Sequence, residues 1–448
     1  MSIFKAYDIR GLVDKELTPE FCFKVGVAFA IFLQQEREPG TVVVGEDMRP
    51  SSPVFADAFS AGVTSQGMDV IRIGLASTDM LYFAAGKFNY PGAMFTASHN
   101  PAEYNGIKLC LSGARPVGKE SGLVAIEKLT TGEVPIGLRN VGIEKHQDLL
   151  EEYVSHLLTL VPLTGKRRLK IVADAGNGMA GHTAPAVFKN INADVVEMYF
   201  ELDGTFPNHE ANPIDEENLK DLKAAVKKNK ADIGLAFDGD ADRCFLVNEK
   251  GEAVNPSALT ALIAHRELKK NPGGTIIYNL ISSKAVREVV EENGGVAVRS
   301  RVGHSYIKKL MAETGAIFGG EHSGHFYFKD FWKADSGMLA ALHAIAALSE
   351  SDQTLSEVLK PYNRYFSSGE INSKVTSAVA SMNNIEEKYG ESAGNAVDQL
   401  DGLTIAADDW WFNVRASNTE PLLRLNVEAN SEALMKKIRD EVLATIRA

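Results

Sequence analysis

Residues 232–247 read Asp-Ile-Gly-Leu-Ala-Phe-Asp-Gly-Asp-Ala-Asp-Arg-Cys-Phe-Leu-Val. An apolar run, a polar loop and a second apolar run predict a strand over Asp232–Phe237, a loop over Asp238–Arg243 and a strand over Cys244–Val247. The same unit recurs on both sides. Pro91–Thr96 and Gly106–Leu111 flank a polar loop from Ala97 to Asn105, and Ala316–Phe318 and His325–Phe328 flank Gly319–Gly324. Each unit follows a helical stretch, so the chain reads as three related α/β domains that each present one loop. Upstream, Thr18 caps a helix with Pro19 at its first position and Phe21, Val25, Phe29 and Phe32 on one face. Ser52-Pro53 opens a second helix that ends at Gly67. Downstream of about Pro361 the pattern changes. A strand (Gly369–Val375), a helix (Ala378–Tyr389), a strand pair around Arg415–Pro421 and a helix from Ser431 predict a separate α+β domain. The expected division is 1–148, 149–250, 251–362 and 363–448.

Composition sets limits on function. The 448 residues carry 47 Lys+Arg against 59 Asp+Glu, a formal charge of −12. That balance argues against a nucleic-acid or membrane partner, because phosphate backbones need a basic face. The three cysteines, Cys22, Cys110 and Cys244, show neither disulfide nor zinc spacing. No apolar run reaches transmembrane length, and the first residues lack a secretory stretch, so the expected location is a reducing cytoplasm. No exposed apolar seam is legible, which favours a monomer.

Four loops carry the chemistry. Thr96-Ala97-Ser98-His99-Asn100-Pro101, continuing to Lys108, offers a hydroxyl nucleophile with His99 and Lys108 nearby to handle a proton or a developing charge. Asp238, Asp240 and Asp242 alternate on one loop, a costly clustering that a hard cation such as Mg²⁺ would neutralise while leaving room for a phosphate oxygen. Gly239 and Ala241 let that backbone curl. Gly319-Gly320-Glu321-His322-Ser323-Gly324-His325 places Glu321 and Ser323 where they can grip vicinal hydroxyls. Arg415-Ala416-Ser417-Asn418-Thr419-Glu420-Pro421 combines a guanidinium fork with short polar side chains suited to a phosphate. Each loop alone also admits a plain reading, as a capped turn, a solvated acidic turn, a glycine turn or a hairpin with a surface arginine. Jointly they supply the parts of phosphoryl transfer on a sugar phosphate.

These loops, with Lys5-Ala-Tyr-Asp-Ile-Arg-Gly11 and the Phe206-Pro-Asn-His209 to Asn212-Pro213 stretch, resemble the signatures of the α-D-phosphohexomutase superfamily. Within it, the opening motif resembles the bacterial phosphomannomutase/phosphoglucomutase branch. The likeness runs from about residue 4 to residue 428, and His322 stands where Met is more familiar. The resemblance implies four domains around a central cleft and a phosphoserine at Ser98. It also implies Mg²⁺ held by Ser98, Asp238, Asp240 and Asp242, and a hexose 1,6-bisphosphate as intermediate and primer. Arg243 would neutralise the moving phosphoryl, and Arg415, Ser417, Asn418 and Thr419 would hold the other phosphate. Tyr7, Arg10, Lys284, Gly303, His304 and His325 would line the cleft, although Tyr7 and His325 could instead pack between domains. The expected reaction interconverts hexose 1-phosphate and 6-phosphate of mannose, glucose or both. A phosphoglucosamine mutase, a metal-dependent sugar phosphatase and a catalytically silent phosphate-binding protein are the competing readings.

Overall fold

The computed structural model describes residues 3–132, 141–416 and 422–447, without the side chains of residues 304, 305 and 392. Four sheets follow one another along the chain. In the first, Thr41–Glu46 runs parallel to Asp69–Leu75 on one side and to Gly92–Phe95 on the other, and Tyr104–Leu111 returns antiparallel beside Gly92–Phe95. In the second, Leu169–Asp174 lies parallel to Ala193–Met198 and Ile233–Phe237, with Cys244–Asn248 antiparallel at the edge. In the third, Thr275–Asn279 lies parallel to Val296–Ser300 and Phe318–Gly320, with Phe326–Phe328 returning antiparallel. One strand plan is therefore used three times. Each polar loop leaves the carboxyl end of a parallel strand, the end at which open α/β sheets present ligand-binding groups. The fourth sheet is antiparallel throughout, in the order Phe366–Lys374, Leu422–Ala429, Trp410–Ala416, Leu403–Ala406, Ala396–Asp398. Helices Ala378–Tyr389 and Glu432–Arg447 pack with it, giving the expected α+β unit.

Local signals act where sequence chemistry places them, with two exceptions. Thr18 Oγ1 accepts the Phe21 N–H at 3.2 Å and caps the helix Pro19–Gln35. In the helix Ser52–Ser65, Ser52 does not cap. Its hydroxyl donates instead to Asp47 Oδ1 at 2.6 Å, a buried carboxylate being the stronger acceptor. The strand expected at Ala316–Phe318 lies two residues later, at Phe318–Gly320. Gly320 belongs to the strand because a side chain there would strike Thr260, with its Cβ 2.5 Å from the Thr260 methyl, so this glycine serves close packing rather than a turn.

One buried apolar cluster runs through all three repeated units, including Met80, Leu157, Val187, Phe237, Leu262, Phe318 and Leu342. The fourth unit keeps its own core around Ile385, Leu403, Phe412, Leu425, Ile438 and Val442. Hydrogen bonds cross its seam with the third unit. Asn255 Nδ2 donates to Ser367 Oγ at 3.1 Å, the Lys284 N–H to Glu428 Oε1 at 3.0 Å, and the Val302 N–H to Asp401 Oδ2 at 3.1 Å. No described helix is long and apolar enough to cross a membrane.

Candidate active site

Ser98, near the start of the first of the three loops, adopts a conformation its residue type resists: its φ is +51°, in the left-handed region. Its own N–H donates to Thr96 Oγ1 at 2.9 Å, and its hydroxyl donates to Asp238 Oδ2 of the second unit at 2.7 Å. Gly239 makes that approach possible, because a Cβ there would lie 2.3 Å from the Ser98 carbonyl oxygen. Ala241, also left-handed with φ +59°, completes the curl. Asp238, Asp240 and Asp242 are all buried, with one carboxylate oxygen from each lying within 4.8 Å of the others.

The electrostatics of this trio are those of crowded charge. Burial, then Asp242 and Asp240, push the Asp238 carboxyl up to about 8. Burial also opposes ionisation of Asp242, but Lys108 and His325 outweigh it and hold that group well below the usual carboxylate range. Lys108 Nζ donates to Asp240 Oδ2 and Asp242 Oδ2, both at 2.6 Å. Thr78 Oγ1 donates to the same Asp240 oxygen at 2.6 Å. The second oxygens, Asp240 Oδ1 and Asp242 Oδ1, are buried and accept no hydrogen bond from a described group. Three converging carboxylates with two such oxygens form a donor set that could hold a metal ion.

Basic groups surround Ser98. Arg243 Nη2 is 3.4 Å from Ser98 Oγ and donates to His99 Nδ1 at 2.7 Å, and its Nε lies 3.3 Å from Asp238 Oδ2. His99 Nδ1 is 3.2 Å from Ser98 Oγ. The Arg243 charge, then burial, hold the His99 imidazole well below its usual range, so it is a neutral acceptor. Arg10 donates to Asn100 of the same loop and, at 2.5 Å, to Asp8.

The third loop joins from the other side. His325 pairs its backbone with Arg243, its Nε2 lies 3.5 Å from Asp242 Oδ1, and Ser323 Oγ sits 3.0 Å from its Nδ1. Glu321 is buried and accepts from the Gly303 N–H at 3.1 Å and the Tyr327 hydroxyl at 2.7 Å. Tyr7 packs its hydroxyl against Gly303. Tyr7 and His325 thus do make the interdomain contacts that the sequence left open. Two expected residues are held by groups of the fourth unit, Lys284 from across the seam and Arg415 from within that unit. Lys284 Nζ lies over the Tyr365 ring at 4.3 Å and near Asn430 Oδ1 at 3.3 Å. Arg415 Nη2 donates to Glu370 Oε2 at 2.8 Å. Ser417, Asn418 and Thr419, and the His304 side chain, lie outside the described residues.

Several neighbours went unread in the sequence. Thr78 carries no motif. Lys308 Nζ, buried 2.7 Å from Asp335 Oδ1, stands behind His325, whose Nε2 is 3.9 Å from Asp335 Oδ2. Asp47 and Arg49, an opposite-charge pair directly after the strand Thr41–Glu46, left a signal in their position at the loop-bearing end of the sheet.

Family profiles for phosphoglucomutase/phosphomannomutase match four stretches in order. These are alpha/beta/alpha domain I over residues 1–134, domain II over 151–251, domain III over 255–365 and the C-terminal domain over 370–445. The chain belongs to the phosphoglucomutase/phosphomannomutase family. It is 38% identical to a phosphomannomutase of Escherichia coli strain K12, covering 100% of this chain and 99% of that protein. It is 37% identical to a phosphoglucomutase of Neisseria meningitidis, covering 100% and 97%. Among solved structures, a phosphoglucomutase/phosphomannomutase family protein from Burkholderia thailandensis superposes with a TM-score of 0.89 at 32% identity, covering 99% of this chain and 96% of that one.

Proposed function

We propose that this protein is a phosphohexomutase that interconverts the 1-phosphate and 6-phosphate of mannose, glucose or both through a phosphoserine at Ser98 and a hexose 1,6-bisphosphate. The observation that carries this reading is the 2.7 Å contact of Ser98 Oγ with Asp238, inside a carboxylate trio and beside Arg243. A hydroxyl so placed can carry a phosphoryl group between cationic and metal-binding partners, which is what phosphoryl transfer requires. Magnesium held by Asp238, Asp240, Asp242 and the Ser98 phosphoryl would supply further neutralisation of the transferring charge.

The chain's own residues divide the remaining work. Burial disfavours the Lys108 ammonium, but Asp240 and Asp242 outweigh it and raise the group well above its usual range. Lys108 therefore serves as a fixed positive charge rather than a base. His99, neutral and within 3.2 Å of Ser98 Oγ, accepts from Arg243 and so seats that charge beside the nucleophile, whose hydroxyl proton is directed at Asp238. Glu321 and Ser323 hold the sugar hydroxyls, while Arg415 with Ser417, Asn418 and Thr419 holds the phosphate that is not moving. Tyr7, Arg10, Gly303, His304 and His325 complete the cleft, and Lys284 acts from its seat against the fourth unit.

The deciding experiment is a coupled assay on glucose 1-phosphate and mannose 1-phosphate, with and without glucose 1,6-bisphosphate. Primer-stimulated formation of the 6-phosphates is expected. Steady release of inorganic phosphate without a primer requirement would overturn the mutase reading in favour of a phosphatase.

A further inference from the structure

Arg49 is among the largest fully buried side chains of the molecule, and both terminal nitrogens of its guanidinium donate to pairs of backbone carbonyls. Nη2 donates to the carbonyls of Ser98 at 3.0 Å and Asn100 at 2.7 Å, and Nη1 to those of Pro101 at 2.9 Å and Tyr104 at 2.8 Å. Nε lies 3.3 Å from Asp47 Oδ2, an ion pair without a hydrogen bond between the two atoms. Asp47 is fixed in turn, its Oδ1 accepting from the Arg49 N–H at 3.0 Å and the Ser52 hydroxyl at 2.6 Å. The guanidinium carbon lies 5.1 Å from the ring centre of Phe206, which comes from the second unit. The Phe206 ring also reaches to 3.6 Å of where a Gly239 side chain would begin.

We infer that Arg49 is a positioning residue that gathers the 98–104 backbone around one cation and so holds Ser98 in its left-handed conformation for phosphoryl transfer. The inference rests on the mutase reading above. Four carbonyls converging on one planar fork fix a loop that has no regular hydrogen-bond ladder of its own from Ser98 to Pro101. Lysine, a compact ammonium with three donors, cannot span the same four acceptors. The Phe206 face ties the loop to the metal-binding turn, so the nucleophile and its carboxylate partners are set by one contact system.

The test separates holding the loop from merely stabilising the fold. Arg49→Met alone strands Asp47 as an unpaired buried charge and is expected to destabilise the protein. The double variant Asp47→Asn/Arg49→Met removes both charges and keeps the Asp47 Oδ1 position as an acceptor, so it relieves the stranded charge without restoring the fork. It should fold with a melting temperature above that of Arg49→Met but below wild type, because the four carbonyls lose their donor. It should keep KM for glucose 1-phosphate within about twofold, and lose about 100-fold in kcat, the scale of an ångström-level misplacement. Arg49→Lys should fall on the same side, with lowered kcat and little change in KM. Hydrogen exchange at the amides of residues 98–104 should quicken in the double variant. Wild-type kcat, or wild-type protection of those amides, in a well-folded double variant would overturn the inference. If wild type itself shows no mutase activity, the functional reading fails, and the exchange arm still decides whether Arg49 holds the loop.

Discussion

Gly239 lies directly against Ser98, so that a methyl group on it would stand 2.3 Å from the Ser98 carbonyl oxygen. Substitution to alanine must push the metal-binding turn and the nucleophile loop apart. Gly239→Ala is expected to reduce kcat by about 100-fold, because small displacements at a reacting centre are that costly. Steady-state kinetics would show it, and wild-type turnover in the variant would mean the approach is not needed.

Ser98 is expected to carry phosphate in part of the purified protein. Intact mass should reveal a fraction heavier by one phosphoryl group that disappears in Ser98→Ala, along with mutase activity. A phosphoryl group on another residue would sink the assignment.

Removing one charge from the trio leaves a bound cation under-neutralised. Asp238→Asn, Asp240→Asn and Asp242→Asn should each lower turnover by about 100-fold or more, the scale of one electrostatic contact to transferring charge. Excess chelator should abolish wild-type activity, and added Mg²⁺ should restore it. Full activity in chelator would contradict the metal assignment.

Arg415 is expected to hold whichever phosphate is not being transferred, and so to serve both half-reactions. Losing a charge-assisted bidentate contact costs on the order of 1.5–3 kcal/mol, so Arg415→Ala should slow both directions about 10- to 150-fold. It should also raise the requirement for bisphosphate primer. Loss in one direction only, at saturating primer, would refute a shared clamp.

Asp79 provides a pH signature. Its carboxylate joins three parts of the chain, accepting from Ser77, from Tyr153 at 2.7 Å and from Ser336 at 2.6 Å. Burial raises its pKa from 3.8 to about 6, against the pull of those hydroxyls. A raised acid binds its proton more tightly when folded. Its contribution, on the order of 3 kcal/mol, is therefore present below the unfolded value and is lost as pH rises through about 6. The difference in melting temperature between Asp79→Asn and wild type should move in the variant's favour between about pH 4 and about pH 7. A constant difference would falsify the shift.

What could be read in the sequence was local. The Thr18 cap, the alternation of strand and helix, and the loops around Ser98, Asp238 and Glu321 depend on residues close together in the chain. The position of Arg49 after a strand was a signal, but its grip on the nucleophile loop was not legible, because its carbonyl partners lie about fifty residues away and a backbone acceptor has no residue signature. Asp79 meets Ser336 across 257 positions. Ser52 looked like a cap because nothing nearby announced that Asp47 would claim its hydroxyl. Gly319 and Gly320 looked like turn residues because composition does not distinguish a glycine that bends from one that lets a helix approach.

The apolar cluster shared by the first three units stops short of the fourth, which is seated on hydrogen bonds such as Asn255 to Ser367 and Lys284 to Glu428. Swinging the fourth unit away would wet those polar groups and a few seam side chains such as Ile281 and Trp411, and leave both buried clusters closed. Heat capacity tracks newly wetted apolar area, so such a swing would change it little. Any such displacement would then vary smoothly with temperature, with less curvature than a largely apolar seam would impose.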